Sequence, residues 1–196
     1  MLIFGAGGHA KVVLSILSAC GKRTGRIFDD NWQNVQWHTE DMITGYDATF
    51  MPGEELVIAI GNNHERRRVA AKVSHSFGNA IHPTAIVDSS VLIGSGTVIV
   101  HNAVIQADCH IGEHVIINTA AIVEHECRLG DFVHIGPGST LCGGVRVGEC
   151  SLVGAGSVVL PGITIGRECV IGAGSVLTHD VPDFAKVAGN PARRID

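Results

Sequence analysis

Beyond residue 80 the hydrophobic pattern counts in sixes. An aliphatic residue stands at Ile81, Val87, Ile93, Ile99 and Ile105 and returns at every sixth place as far as Ile171 and Leu177. Four residues after each comes a small or β-branched one, as at Ala85, Val91, Thr97, Ala103 and Cys109, through to Ser175 and Val181. Glycine often follows the aliphatic position, at Gly94, Gly112, Gly130, Gly148, Gly154, Gly166 and Gly172. Repetition at a fixed period marks a stacked architecture. Each unit supplies one short strand and one turn, two inward side chains fill a narrow interior, and glycine accepts a tight corner. Three units close a triangular coil of about eighteen residues, so the repeat predicts between five and six coils. An open-ended stack with apolar flanks favours association.

Residues 1–80 follow other periods. Leu2 to Phe4 is a short apolar run, a glycine loop follows, and Val12, Val13, Ile16 and Leu17 mark one face of a helix. Arg26 to Phe28 predicts a second strand ending in Asp29 and Asp30; Leu56 to Ile60 predicts a third, running into Gly61, Asn62 and Asn63. A basic-faced helix is expected from His64 to about Ser76. Strand, helix, strand, strand, helix is the order of a small, Rossmann-like parallel α/β sheet. Two domains follow: residues 1–80, α/β and nucleotide-binding, and residues 81–196, an all-β coil with a C-terminal tail. The boundary falls between Asn79 and Pro83.

Composition narrows the class. Of 196 residues 45% are hydrophobic, enough for a real core, and the net charge of −5 includes no block of like charge. That argues against a nucleic-acid footprint or a polybasic membrane patch. Met1 runs almost directly into the glycine loop, without a signal peptide or long apolar span, so a cytoplasmic protein is expected. The six cysteines form no C-x-x-C pair, and Cys109, Cys127 and Cys169 share the small inward position of the repeat; they read as reduced core residues.

Gly5-Ala6-Gly7-Gly8-His9-Ala10 fits G-x-G-x-x-A between a strand and a helix. Such glycines let the backbone approach a diphosphate that the helix N-terminus attracts. Asp29 or Asp30 would accept a hydrogen bond from a ribose or a base. A complete dinucleotide fold needs two mononucleotide halves, and only one precedes the coil. A ligand with a single diphosphate, such as a nucleotide-sugar, fits better.

Between Asn118 and Gly136 the apolar regularity is broken by two histidines and three carboxylates. By register, His125 and Glu126 fall at a corner, and His134, directly before Ile135, faces outward on a flat side where neighbouring subunits could meet. Cys127 points inward, with no route to a substrate. An imidazole with its ordinary pKa of about 6.5 is a base at neutral pH. A carboxylate on its other nitrogen fixes the tautomer and stabilises the imidazolium. Glu124 or Glu126 could supply that carboxylate.

Four segments together carry a resemblance: NTAAIVEHEC (118–127), GAGGHAKV (5–12), AIGNN (59–63) and VAGNPARR (187–194). The chain resembles the bacterial nucleotide-linked aminosugar N-acetyltransferases of the hexapeptide-repeat superfamily, of bacillosamine, perosamine and viosamine type; a sialic acid O-acetyltransferase-like branch is related. The resemblance implies a left-handed parallel β-helix, a homotrimer, and direct transfer from acetyl-CoA to the C4 amine of a UDP- or dTDP-linked 4-amino-4,6-dideoxy sugar, with no acyl-enzyme and no metal. Carried over by position, His125 becomes the general base and Glu126 its orienting carboxylate. His134, Gly143, Ala155, Ala173 and Arg193 become acetyl-CoA contacts, with Gly156 and Gly174 beside the alanines as further free backbone amides. Gly7, Gly8, His9, Asp29, Asp30, Gly61, Asn62 and Asn118 become substrate contacts. Catalytic groups of one subunit would meet the nucleotide domain of a neighbour.

Readings of other classes stay open on the residues alone. A zinc-dependent, carbonic-anhydrase-like coil enzyme would use a histidine pair five residues apart; none of the eleven histidines are so spaced, His110 and His114 being four apart. A non-catalytic reading makes the coil a scaffold and the α/β part a ligand sensor. An O-acetyltransferase would differ only in its acceptor.

Overall fold

In the computed structural model, which describes residues 1–35 and 43–195, the first apolar runs build a parallel sheet. β1 (Leu2–Phe4) pairs with β2 (Ile27–Phe28) on one side and β4 (Leu56–Ile58) on the other, and β3 (Ile43–Thr44) extends the sheet beyond β2. α1 (Gly8–Ala19) buries Ala10, Val13, Ile16 and Leu17, a stripe at helical spacing. α2 (Asn63–Ala70) is capped by Asn62, whose side chain accepts from the Glu65 amide at 3.0 Å. The helix stops at Ala70 rather than near Ser76 because the chain must return to the sheet. The Leu56 amide donates to Ser76 O at 2.9 Å, and Phe77 bridges to Leu56. No described helix is long and apolar enough to cross a membrane.

From Ala80 the backbone passes through seventeen two-residue strands, β5 (Ala80–Ile81) to β21 (Val176–Leu177), one every six residues. Each pairs in parallel with its neighbours eighteen residues away, which produces three flat faces. The first face carries residues 80–81, 98–99, 116–117, 134–135, 152–153 and 170–171. The second runs from 86–87 to 176–177 and the third from 92–93 to 164–165. β22 (Lys186–Gly189) and β23 (Ala192–Arg194) complete the first face. The aliphatic and small positions of the repeat form the buried core of the coil. Cys109, Cys127 and Cys169 are free thiols buried within it, donating to the carbonyls of Glu124, Cys142 and Pro182.

Glycine serves the corners in two ways. The third residue after the aliphatic one has positive φ at every corner from Gly96 to Gly174, and non-glycine residues such as Asn102, His114, Glu126 and Phe132 adopt it too. The glycine directly after the aliphatic position, the more regular signal in the sequence, lies outside that region. Its role is close stacking: a Cβ on Gly94 would stand 2.6 Å from the Glu113 amide of the next coil.

The α/β part lies on the first face. Val98, Val100 and Ile116 point outward from the coil and join Ala10, Val13, Ile16 and Leu17 of α1 in one buried cluster. Beside this cluster, Arg66 of α2 is 0% exposed. Its Nε donates to His114 O at 2.8 Å, one terminal nitrogen to Ile60 O and Gly61 O at 3.0 and 3.2 Å, and the other to Asn63 Oδ1 and Phe132 O at 2.9 and 2.8 Å. Burial lowers its pKa to about 10, which leaves it charged at neutral pH. The expected basic face of α2 therefore divides: Arg68 stays exposed and pairs with Glu65, while Arg66 ties the helix to two stacked corners of the coil.

Candidate functional site

His125 stands at the corner between the second and third faces, where the backbone of Glu126 takes its positive φ. Both side chains are exposed, and His125 Nδ1 lies 3.1 Å from Glu126 Oε2. A carboxylate can only accept, so Nδ1 carries the proton, and in the neutral ring the lone pair is then on Nε2. Glu126, one of the two candidate carboxylates, is the one in contact.

One coil away, Gly143 lies against the imidazole. A Cβ built there would stand 2.5 Å from Cε1 and 2.6 Å from Nε2 of His125. The Gly143 backbone avoids the left-handed region, so alanine is permitted there and the ring must yield. Gly143→Ala is expected to leave the thermal midpoint within about 2 °C of wild type, since an exposed ring relocates cheaply. It should lower kcat roughly tenfold or more by moving the base from its proton donor; melting curves beside steady-state kinetics check this.

A second group gathers under the α/β domain. His134 faces outward from the coil, yet the domain of the same chain covers it. Its Nδ1 donates to Gly61 O at 3.1 Å, and its Nε2 accepts from Asn118 Nδ2 at 3.1 Å. His134 is therefore no open surface residue, and both its nitrogens are engaged. Gly61, Asn62, Asn63, His64 and His134 line a cavity of about 310 Å³ with Cys150, Leu152 and Val170. His9 is mostly buried nearby, and its Nε2 has no hydrogen-bond partner among the described residues. The structure thus brings His9, Gly61, Asn62, Asn118 and His134 to one region and leaves His125 and Glu126 at another corner.

The remaining expected contacts divide. Asp29 holds the glycine loop: its two oxygens accept from the amides of Ala6 and Asn31, each at 2.7 Å. Asp30 is exposed and pairs with Lys72 at 2.5 Å and Arg68 at 3.3 Å, which hold its pKa below the usual carboxylate range. Gly7 and Gly8 are exposed at the start of α1. Ala155 and Ala173 are exposed on the corner between the first and second faces, against Gly136 and Gly154. The amides of Gly156 and Gly174 are not free: they donate to Pro137 O and Ala155 O, both at 2.8 Å, in the pattern the corner amides follow from His114 onward. Arg193 lies exposed on β23, lining a cavity of about 240 Å³ with Leu177 and His179.

Arg66 and Asn63 are the residues that reasoning from the sequence missed. The Asn63 side chain donates to Cys150 O and Ser151 O at 2.9 and 3.1 Å. A signal existed: Asn63, Arg66 and Val69 recur at helical spacing, and that stripe is the one α2 buries.

Protonation should loosen this region. Burial, with the neighbouring Arg66 charge, lowers the pKa of His134 and of His114 to about 4; for His9 burial, then His134 and Arg66, do the same. In the unfolded chain these groups titrate near 6.5, so between about pH 6.5 and 4 the unfolded state binds more protons. Stability is full above that window and falls as pH drops through it. A thermal midpoint that declines steadily from pH 7 to pH 4.5 is the expected measurement.

The geometry is that of a six-residue-repeat coil carrying a small parallel α/β domain, and the comparisons with known proteins agree. Residues 1–73 match the PglD N-terminal domain, and residues 108–143 and 144–179 match the bacterial transferase hexapeptide (six repeats). The crystal structure of a perosamine N-acetyltransferase variant from Caulobacter crescentus, with one histidine replaced by asparagine and CoA and GDP-perosamine bound, is 40% identical with a TM-score of 0.93. It is covered to 96%, and this chain to 100%. The acetyltransferase domain of PglB from Neisseria gonorrhoeae FA1090, in complex with acetyl coenzyme A, is 37% identical, with a TM-score of 0.90 and coverage of 99% of this chain and 98% of that one. UDP-N-acetylbacillosamine N-acetyltransferase of Bacillus subtilis (strain 168) is 40% identical over 107 residues, half of this chain and half of that protein. The chain belongs to the hexapeptide-repeat family of nucleotide-aminosugar N-acetyltransferases.

Proposed function

We propose that this protein transfers an acetyl group from acetyl-CoA to the C4 amine of a nucleotide-linked 4-amino-4,6-dideoxy sugar. The observation that carries the reading is the His125–Glu126 pair, with Nδ1 held at 3.1 Å and Nε2 free at an exposed corner. The amine nitrogen attacks the thioester carbonyl; the N–C bond forms and the C–S bond breaks. His125 Nε2 takes the proton the amine sheds and returns one to the departing thiolate, while Glu126 stabilises the imidazolium between the two steps. The Gly143 amide is the donor to the thioester oxygen. Ala155, Ala173 and Arg193 remain contacts for the coenzyme. His134, bound between Gly61 and Asn118, aligns the nucleotide-side loop.

The left-handed sense of the coil and its assembly as a homotrimer belong to the same reading. The second face presents Ile86, Val104, Ile122, Val158 and Val176 outward, with only Thr140 among them polar, and Ile86 is 66% exposed. Asn118 borders this face on one side and His125 on the other. A copy packed against the stripe buries the apolar residues and sets the nucleotide loop of one chain against the His125 corner of another.

UDP- and dTDP-linked sugars are the first candidate acceptors; the GDP-perosamine bound by the Caulobacter relative adds a third. A thiol-release assay with acetyl-CoA and UDP-, dTDP- and GDP-linked 4-aminosugars tests the reading. Turnover with at least one is expected. A folded protein that releases no thiol with any of the three overturns it.

A further inference from the structure

Among the described residues of the α/β domain, two large apolar side chains are exposed, Met51 and Trp32. They stand at opposite ends of the sheet. Met51 lies against Gly25, before β2 begins, at the end of the strands away from the glycine loop. Trp32 follows β2 and rests on Gly45, directly after β3: a Cβ built on that glycine would stand 3.4 Å from the indole Nε1. The indole, 43% exposed, is therefore at the carboxyl ends of β2 and β3. That is the end from which a parallel α/β sheet receives its ligands. A lone exposed apolar residue is ordinary on a surface; the neighbours of this one are not.

Asp29 joins the indole to the glycine loop. Its carboxylate accepts from the Ala6 amide at 2.7 Å and its carbonyl from the Trp32 amide at 3.3 Å, while its own amide donates to Thr44 O at 2.9 Å. A single residue thus separates the loop from the root of the indole, as a single ribose separates the first phosphate of a nucleotide from its base. The carboxylates in the region are already engaged. Asp29 holds the amides of Ala6 and Asn31, and Asp30 is paired with Lys72 and Arg68. The flat apolar surface beside them is what this end of the sheet still offers to a base.

We propose that Trp32 is the stacking platform for the base of the nucleotide-linked acceptor. The inference rests on the nucleotide-sugar reading and adds a binding residue to it. Strand order gives the ligand its direction: from the loop after β1, the nucleoside lies toward β2 and β3, and the sugar leaves toward β4 with Gly61 and Asn62. Every base has a π-face, so the indole supplies affinity and position without choosing among uracil, thymine and guanine.

The experiment is isothermal titration of UDP, dTDP, GDP and CoA, each alone, into wild type, Trp32→Ala and Trp32→Phe. In Trp32→Ala the affinity of the nucleoside diphosphate that wild type binds should fall about tenfold or more, the usual effect of removing an aromatic platform. Trp32→Phe keeps a ring and should stay within about threefold of wild type. CoA affinity should change less than about twofold, because its contacts lie on the coil. Trp37→Phe leaves Trp32 as the sole indole of the chain, and its emission should be quenched when the nucleotide binds. In turnover, Trp32→Ala raises acceptor KM and holds kcat within about threefold. Unchanged nucleotide affinity in Trp32→Ala, an equal loss in Trp32→Phe, or Trp32 emission indifferent to nucleotide overturns the platform. A fall of more than about 5 °C in the unfolding midpoint of Trp32→Ala, or a changed oligomer, makes the indole structural and overturns it as well. A wild-type protein that binds none of the three nucleotides removes the nucleotide-sugar reading itself, and the platform with it.

Discussion

His125→Ala is expected to lower kcat by about 10²- to 10⁴-fold, the usual contribution of a positioned general base. The loss should fall on turnover, with the KM for acetyl-CoA within about threefold, because the imidazole acts on the amine and makes no ground-state grip on the coenzyme. Stability should barely move. The side chain is exposed, its one hydrogen bond among the described residues goes to the exposed Glu126, and its removal leaves no buried group there unpaired. Glu126→Gln separates orientation from charge: the amide oxygen can still accept from Nδ1, but the imidazolium loses its counter-ion, so a smaller loss of about tenfold is expected. Equal losses in the two variants would mean that the charge, rather than the lone pair on Nε2, dominates. Unchanged turnover in His125→Ala would take the base away from this corner altogether.

The coil was legible because its period is rigid. An aliphatic residue every sixth place leaves the phase no freedom, so the inward course of Cys127 and the corner position of His125 follow from counting, and the structure has both. What was hidden depends on contacts across long stretches of chain. β3 is only Ile43–Thr44, too short for any alternation to show. The end of α2 is set by the pairing of Phe77 with Leu56, against a sequence that continues with good helix formers at Ala70, Ala71 and Lys72. His134 was correctly placed on a flat face, but its covering by Gly61 depends on where the α/β domain docks, and no local pattern carries that. Among three consecutive arginines, the one that is buried is decided by which carbonyls of the coil lie opposite.

Arg66→Met should be the most damaging single change to the fold outside the coil core, costing about 3–5 kcal/mol. Methionine fills much of the volume but leaves the carbonyls of His114, Phe132 and Ile60 without their donor, while Gly61 O keeps only the bond from His134 Nδ1. Both coil carbonyls belong to residues in the left-handed conformation, so the guanidinium also supports two corners that carry backbone strain. Arg66→Lys should recover only part of the loss, because one ammonium cannot span positions that a planar fork reaches together. Both tryptophans, Trp32 and Trp37, fall within residues 1–80 of the sequence, so their fluorescence in a urea titration reports that part of the chain while circular dichroism reports mainly the coil. A fluorescence midpoint within about 0.5 kcal/mol of wild type would show that the apolar cluster of α1 with Val98 and Ile116 holds the domain without Arg66. The variant should also respond less to acid. Burial, the larger cause, still holds His9, His114 and His134 low, but removing the Arg66 charge lifts one depressing influence from each, so the slope of stability against pH flattens somewhat below neutrality.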